Sequence, residues 1–367
     1  MAKKCLKWTG ICIGVVLLCA IALLLWLTIA EYKPAAVEEV EVGDVCPGVN
    51  EIYAEGTPLS VGDSLTVLSL NTGYGGLGKE ADFFMDGGTG VAPSTSDLEK
   101  NTHGIAARLR AEAADVYFLQ EVDTNSSRSG SKDFTRLYWQ YINAGNREGY
   151  FSAHALNYSC PFVPYPWPPI GKVHSGVQTL SSFFMEKAER IALPCPFSWP
   201  VSTANLKRCL LVGYVPLEDS DRQLVLVNLH LEAYDDGDGK TAQTKMLMKF
   251  LTSEYEKGNY VIAGGDFNQT FPGALEAFPV KSPELWTPGV LEEDILPEGW
   301  QFAYDLSTPS CRLLNEPYDA ASQNTQFYVI DGFILSPNVQ LNSVETKDAA
   351  FGYTDHNPVL LDVTLSE

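Results

Sequence analysis

Positive charge is scarce in this chain: 25 lysines and arginines stand against 46 aspartates and glutamates in 367 residues. The imbalance sharpens beyond Ala30, where all 46 acids and 22 of the 25 bases give a formal charge of −24. A surface so negative repels polyanions unless cations intervene. That argues against a high-affinity nucleic-acid binder, though not against a nuclease with a metal-loaded site. An internal repeat is also missing, which removes solenoids and propellers. No Cys-x-x-Cys pair occurs, which argues against a zinc cluster. Of eight cysteines, Cys5, Cys12 and Cys19 lie in or beside an N-terminal apolar run. The other five (Cys46, Cys160, Cys195, Cys209 and Cys311) are odd in number and cannot all pair within the chain, leaving room for one or two disulfides.

Acid is absent before Glu31, and charge of either sign is absent from Ile11 to Ala30. As a helix those residues span roughly 30 Å, the thickness of a bilayer core. The run exceeds the ~7–15 apolar residues of a secretory signal, although Thr28-Ile29-Ala30 resembles a cleavage site. No lipid-attachment box surrounds Cys19. Lys3, Lys4 and Lys7 precede the run; Glu31, Glu38, Glu39 and Glu41 follow it. The positive-inside rule then predicts a cytoplasmic segment over 1–10, a single-pass anchor over 11–30 in the cell membrane, and an extracellular remainder. Residues 31–60 are acidic and punctuated by Pro and Gly, and read as a stalk leading to one domain over 61–367.

Along that domain, helical spacing predicts helices over 102–113, 134–142 and 241–256. Apolar runs predict strands over 65–71, 116–121, 177–184, 209–215, 223–230, 260–267, 327–335 and 359–365. Strands outnumber helices, and several neighbours are joined too briefly for crossovers. The pattern favours an α/β fold with a mixed two-sheet core and helices outside. From Tyr158 to Lys172, five prolines alternate with Phe162, Tyr165 and Trp167. That segment reads either as a rigid loop folded on itself or as an apolar wall of a site. No stretch reads as a long exposed apolar hairpin.

Several strands end in polar groups: Leu70-Asn71, Gln120-Glu121, Asn228-Leu229-His230, and Gly265-Asp266-Phe267-Asn268. Ile330-Asp331-Gly332-Phe333 lies in the 327–335 run, and Thr354-Asp355-His356 precedes the last strand. Any one is unremarkable: Asp266 and Asn268 alone suit a turn, Asn71 a strand end, His230 a satisfied sheet histidine. Gathering so many polar groups at the rim of one sheet system is costly unless they share a task. Acids, amides and two histidines together suit metal-assisted hydrolysis of a phosphate ester. His103, His154 and His174 lack such company and read as structural.

In order along the chain these six segments resemble the endonuclease/exonuclease/phosphatase superfamily, from about Ser64 to Leu365, in a membrane-anchored, bacterial-type member. The resemblance implies a four-layer α/β sandwich, two packed mixed sheets flanked by helices, with Mg2+ (or Mn2+) as cofactor. Carried over, Asn71, Glu121 and Asp355 would form the metal centre, with Glu121 the principal ligand. Asp266 would orient or deprotonate water, Asn268 would hold a phosphoryl oxygen, and His356 would contact the phosphate. Asp331 would fix the His356 tautomer, and His230 would be the second imidazole. The strand ending in His230 resembles the pancreatic-type deoxyribonuclease and sphingomyelinase branches. Tyr-x-Pro-Asn, expected there in abasic-site repair enzymes, is absent.

The substrate stays open between nucleic acid and a phospholipid head group. Lys207 and Arg208 are the nearest basic residues to the motifs, too few for an inositol polyphosphate. A binding module of the same fold without turnover is the alternative, and no segment points to a protein partner. Two near-misses are set aside. Gly73 to Lys79 imitates a P-loop, but Glu80 stands where a hydroxyl is needed. Asp235 to Gly239 hints at a calcium loop without its terminal Glu. Sequons at Asn125, Asn157 and Asn268 include one in the proposed site, where a glycan would block it.

Overall fold

The computed structural model describes residues 2–44, 55–144, 149–218, 220–235 and 237–367. Cys46, Asp236 and part of the expected stalk lie outside the described residues.

Two mixed seven-stranded sheets form the centre of the molecule. In the first, the order is Val339–Thr346, Val359–Leu365, Ser64–Asn71, Val116–Asp123, Gly171–Ser181, Phe151–Val163 and Val42–Gly43. In the second it is Val37–Val40, Lys187–Ala192, Cys209–Pro216, Gln223–His230, Tyr260–Asp266, Asp331–Leu335 and Gln301–Ala303. Each sheet holds one parallel pair, Ser64–Asn71 with Val116–Asp123 and Gln223–His230 with Tyr260–Asp266. A parallel pair needs a crossover, and the helices Thr95–Glu112 and Asp238–Glu256 supply them.

The inner faces of the sheets interleave Val67, Phe118, Leu211, Leu226, Ile262 and Phe333 in one core. On the outside, Leu98, Ile105 and Leu109 with Phe134 and Tyr138 of the helix Phe134–Asn143 cover the first sheet. Leu247, Met248 and Leu251 of Asp238–Glu256 cover the second. The result is the expected four layers. Each such side chain, fully buried, contributes about 1.5–3 kcal/mol. The first helix starts at Thr95 rather than Thr102, because Ser94 accepts from the backbone N–H of Asp97 and caps it.

Three further expectations need correction. The run 327–335 is not one strand: Phe327–Tyr328 pairs with Cys311–Arg312 in a separate ribbon, and only Asp331–Leu335 joins the main sheet. The stalk is partly built into the fold, since Val37–Val40 and Val42–Gly43 each add an edge strand to a different sheet. The Pro/aromatic segment is the end of a long hairpin, Phe151–Val163 paired with Gly171–Ser181, and its tip exposes Tyr165 and Trp167. An exposed aromatic hairpin is therefore present. Its alternation was masked by the prolines and by small residues such as Ser152, Ala153 and Ala155.

The N-terminal helix runs from Ala2 to Ile29, and its Lys4–Ile29 portion is long and apolar enough to cross a membrane. Its C-terminal end is tied to the domain. Leu27 is buried against Val163 and Val173, Trp199 Nε1 donates to Thr28 Oγ1 (3.1 Å), and Lys207 pairs with Glu31 (2.9 Å). Among the described residues Cys5, Cys12, Cys19, Cys160, Cys195, Cys209 and Cys311 are all free.

Candidate active site

Strand register assembles the site before any side chain is considered. Asp266 ends a strand whose register partners are His230 on one side and Asp331 on the other. In the facing sheet, Asn71 pairs with Gln120, the residue before Glu121. The turn 354–356 closes over this edge, with Thr354 Oγ1 donating to the Asn71 carbonyl (2.9 Å).

The backbone at this edge is strained. Glu121 has φ +54° and sits in a bulge between Leu119 and Val122; Asn268 has φ +50°. Side-chain-bearing residues rarely adopt such angles, and a bulge re-aims its residue out of the ladder. At Gly265, φ is +147° and an added Cβ would lie 1.9 Å from the Leu229 carbonyl oxygen, so only glycine lets the chain reach Asp266 this way.

Asp266 is the hub. Its Oδ2 accepts from Asn71 Nδ2 (3.0 Å) and lies 3.4 Å from His230 Nε2 and 3.8 Å from His356 Nε2. Its Oδ1 accepts from the backbone N–H of Asn268 (2.8 Å). Burial pushes the carboxyl up to about 7, a rise moderated by the charge on His356. Behind the ring, His356 Nδ1 donates to Asp331 Oδ2 (2.8 Å), which also accepts from Ser310 Oγ (2.7 Å). Burial alone would lower the His356 pKa, but the Asp331 carboxylate and its neighbours raise it well above the ordinary value. His230 moves the opposite way: burial, then the charge of Arg208, holds it well below. One imidazole is thus poised as a cation and the other as a neutral base.

A cavity of about 860 Å3 opens over these groups. Asn71, Glu121, His230, Asp266, Asn268, Asp355 and His356 line it, while Asp331 sits behind His356.

No family model matches the sequence, and no curated protein matches it. Solved structures do. An endonuclease/exonuclease/phosphatase from Beutenbergia cavernae DSM 12333 superposes with a TM-score of 0.56 at 16% identity, covering 83% of this chain and 72% of its own. A family protein from Leptotrichia buccalis C-1013-b gives 0.53 at 12% identity, with 82% and 99% covered. The fold is that of the endonuclease/exonuclease/phosphatase proteins. ANGEL2, described as a 2',3'-cyclic phosphatase and solved with adenosine-2',3'-vanadate, shares that fold at a TM-score of 0.50 and 15% identity, with 83% and 97% covered.

The endonuclease/exonuclease/phosphatase fold implies a divalent metal, and the donor set fits one. Glu121 Oε1 receives only a long contact from Asn71 Nδ2 (3.4 Å) among the described residues. Burial raises both Glu121 and Asp355; the Asp355 charge adds to the rise at Glu121, and Asp86 adds to that at Asp355. Two under-compensated carboxylates in one cleft match a hard cation. Asn71 is already engaged: Oδ1 accepts from the backbone N–H of Gly73 (3.0 Å) and Nδ2 bridges Glu121 and Asp266. The tightest groupings of ligand-type atoms, Asp266–Asp331–His356 and Cys311–Asp355–His356, both include His356. They suit a metal less well. The His356 ring is bonded to Asp331 and held protonated, and burial pushes the Cys311 thiol up to about 12.

Two cleft residues escaped the sequence reading or were undervalued by it. Arg128 is locked to Asp123 by two hydrogen bonds (3.0 and 3.1 Å) and stacks 3.7 Å over the Tyr74 ring. No local pattern marks it. Arg208, noted only as a basic residue before a strand, is buried, with Nε and Nη1 unpaired among the described residues. It lies 3.7 Å from Glu232 and lines the same cleft. Asn268 Nδ2 donates to the Leu231 carbonyl (2.9 Å), leaving one amide N–H for a ligand. Elsewhere, Asp235 proves to cap the helix Asp238–Glu256, accepting from the N–H groups of Gly237, Gly239 and Lys240. Of the sequons, Asn157 and Asn268 are buried and Asn125 is exposed.

Proposed function

We propose that this chain is a divalent-metal-dependent phosphoester hydrolase, a phosphodiesterase, held at the outer face of the cell membrane by its N-terminal helix. The observation that supports it best is Asp266, whose one carboxylate gathers Asn71, His230, His356 and the Asn268 N–H within 2.8–3.8 Å. Glu121, contacted by Asn71 Nδ2, and Asp355, which accepts from Thr354 Oγ1, would hold Mg2+ or Mn2+. The ion would supply Lewis-acid polarisation of a phosphoryl oxygen.

The protein's own groups do the rest. Asp266 takes up the proton of an attacking water, for which burial has raised its basicity to about 7. His356, kept cationic by Asp331, binds a phosphoryl oxygen and stabilises charge as the water oxygen bonds to phosphorus. Asn268 offers its remaining N–H to another oxygen, and Arg208 Nη1, without a hydrogen-bond partner among the described residues, suits a third. As the P–O ester bond breaks, a proton must reach the leaving oxygen; His230, beside Asp266, relays it. The 2',3'-cyclic phosphatase among the fold's neighbours agrees with phosphoester chemistry.

The test is hydrolysis of bis-p-nitrophenyl phosphate by the full chain with Mg2+ or with chelator. Hydrolysis that requires the metal supports the proposal; its absence from folded protein in both conditions contradicts it and favours a module without turnover.

A further inference from the structure

The cavity over Asp266 does not end at the polar groups. Its far wall is apolar and includes Leu24 and Leu27 of the N-terminal helix together with Val163, Ile170, Phe197 and Val201. We propose that this arm is an acyl-chain subsite, and that the substrate is a zwitterionic phosphodiester lipid entering from the outer leaflet. The inference rests on the hydrolase reading above.

Three observations carry it. Leu24 and Leu27 lie in the last two turns of a helix whose 28 residues extend about 42 Å, longer than the ~30 Å hydrocarbon core. Within the 11–30 span both lie in the outer-leaflet half, so the arm opens at outer-leaflet depth. On the loops that supply Ile170 and Val201 to its wall, Trp167 is 89% exposed, Trp199 59% and Val201 56%. Exposed aromatic and apolar groups gathered beside a membrane-crossing helix suit the bilayer interface, where an aromatic ring keeps one edge wet. Finally, the helix is a wall of the site rather than a remote tether, fixed by the Trp199–Thr28 hydrogen bond and the Lys207–Glu31 pair. A lipid thus meets the arm without leaving the membrane.

Charge narrows the class. With a formal charge of −24 beyond Ala30, the domain repels an anionic head group, and the cleft offers Arg128 and Arg208 for a single phosphate. A head group whose own cation offsets its phosphate meets neither obstacle.

The experiment uses the full chain in vesicles of phosphatidylcholine and sphingomyelin, with bis-p-nitrophenyl phosphate as the water-soluble comparison. Ile170→Trp and Val201→Trp narrow the arm, and each should lower the ratio of lipid to soluble-diester turnover at least tenfold. An unchanged ratio overturns the proposal. So does metal-dependent cleavage of the soluble diester with no cleavage of either lipid, an outcome that leaves the hydrolase reading intact. Binding is read without turnover by a phosphatidylcholine carrying a diazirine on its acyl chain. Crosslinks at 163–170 and 197–201, lost in the tryptophan variants, support the subsite even if no diester is hydrolysed. Crosslinks confined to the N-terminal helix overturn it.

Discussion

His356 Nδ1 and Asp331 Oδ2 are joined by a 2.8 Å hydrogen bond, and a carboxylate can only accept, so the imidazole carries its proton at Nδ1 and presents Nε2 to Asp266. The bond orients the ring and favours its cation. Asp331→Asn should lower turnover at neutral pH by about 10–100-fold, the usual cost of losing a group that positions an active-site imidazole. Because Asp331 raises the His356 pKa, its removal should also move the alkaline limb of kcat/KM to lower pH. A variant that loses activity without that displacement would assign Asp331 a purely structural part.

Glu121 combines a left-handed backbone with a poorly compensated carboxylate. Binding of a cation to the folded state alone raises Tm. Mg2+ should therefore stabilise the native chain in thermal melts, and Glu121→Gln should abolish most of that gain. In chelator the variant should be at least as stable as the native chain, since an unfavourable buried charge is gone. Equal Mg2+ stabilisation in both proteins contradicts this placement of the ion.

Arg208 lines the cleft with Nε and Nη1 lacking hydrogen-bond partners among the described residues, and Nε lies 3.7 Å from Glu232. Arg208→Ala should reduce kcat/KM for a diester by about 10–100-fold, as expected for a lost charge-assisted contact of about 1.5–3 kcal/mol. Arg208→Lys should recover only part, because an ammonium cannot reproduce the guanidinium fork. Steady-state kinetics of both variants decide it.

His154 lies in the hairpin strand Phe151–Val163, its Nε2 without a hydrogen-bond partner among the described residues, and burial lowers its pKa to about 4. In the unfolded chain the value is about 6.5, so acid protonates the unfolded state first. Its share of stability is complete above pH 6.5, declines as pH falls towards 4, and amounts to at most about 3 kcal/mol. Denaturant melts from pH 7 to 4 should show a smaller decline in His154→Gln than in the native chain.

Much of this was legible beforehand, for physical reasons. Gln223–His230 and Val359–Leu365 agree with their sequence-derived limits because dense β-branched and leucine runs leave no other reading. The segments ending in Asn71, Glu121, His230 and Asp266–Asn268 stood out because each closes an apolar run, whereas Asp331 begins a strand and Thr354-Asp355-His356 precedes one. Lys187–Ala192 and Val339–Thr346 were missed because partly exposed strands alternate charged and polar residues with few apolar ones. Val37–Val40 was hidden by Glu38 and Glu39 on an edge. Arg128 entered the cleft through its pairing with Asp123 and stacking on Tyr74, relations that only the folded chain creates. The apolar arm joins residues 24 and 27 to 163, 170, 197 and 201, and no local pattern foretells such a meeting.

The most direct measurement is the Mg2+-dependent turnover of bis-p-nitrophenyl phosphate by the full chain, by Asp266→Asn and by His356→Ala, each checked for native circular dichroism. A positioned acid–base group typically contributes 10²–10⁴-fold. The account predicts a loss of about that size in both variants with the fold retained; near-native turnover in either one contradicts it.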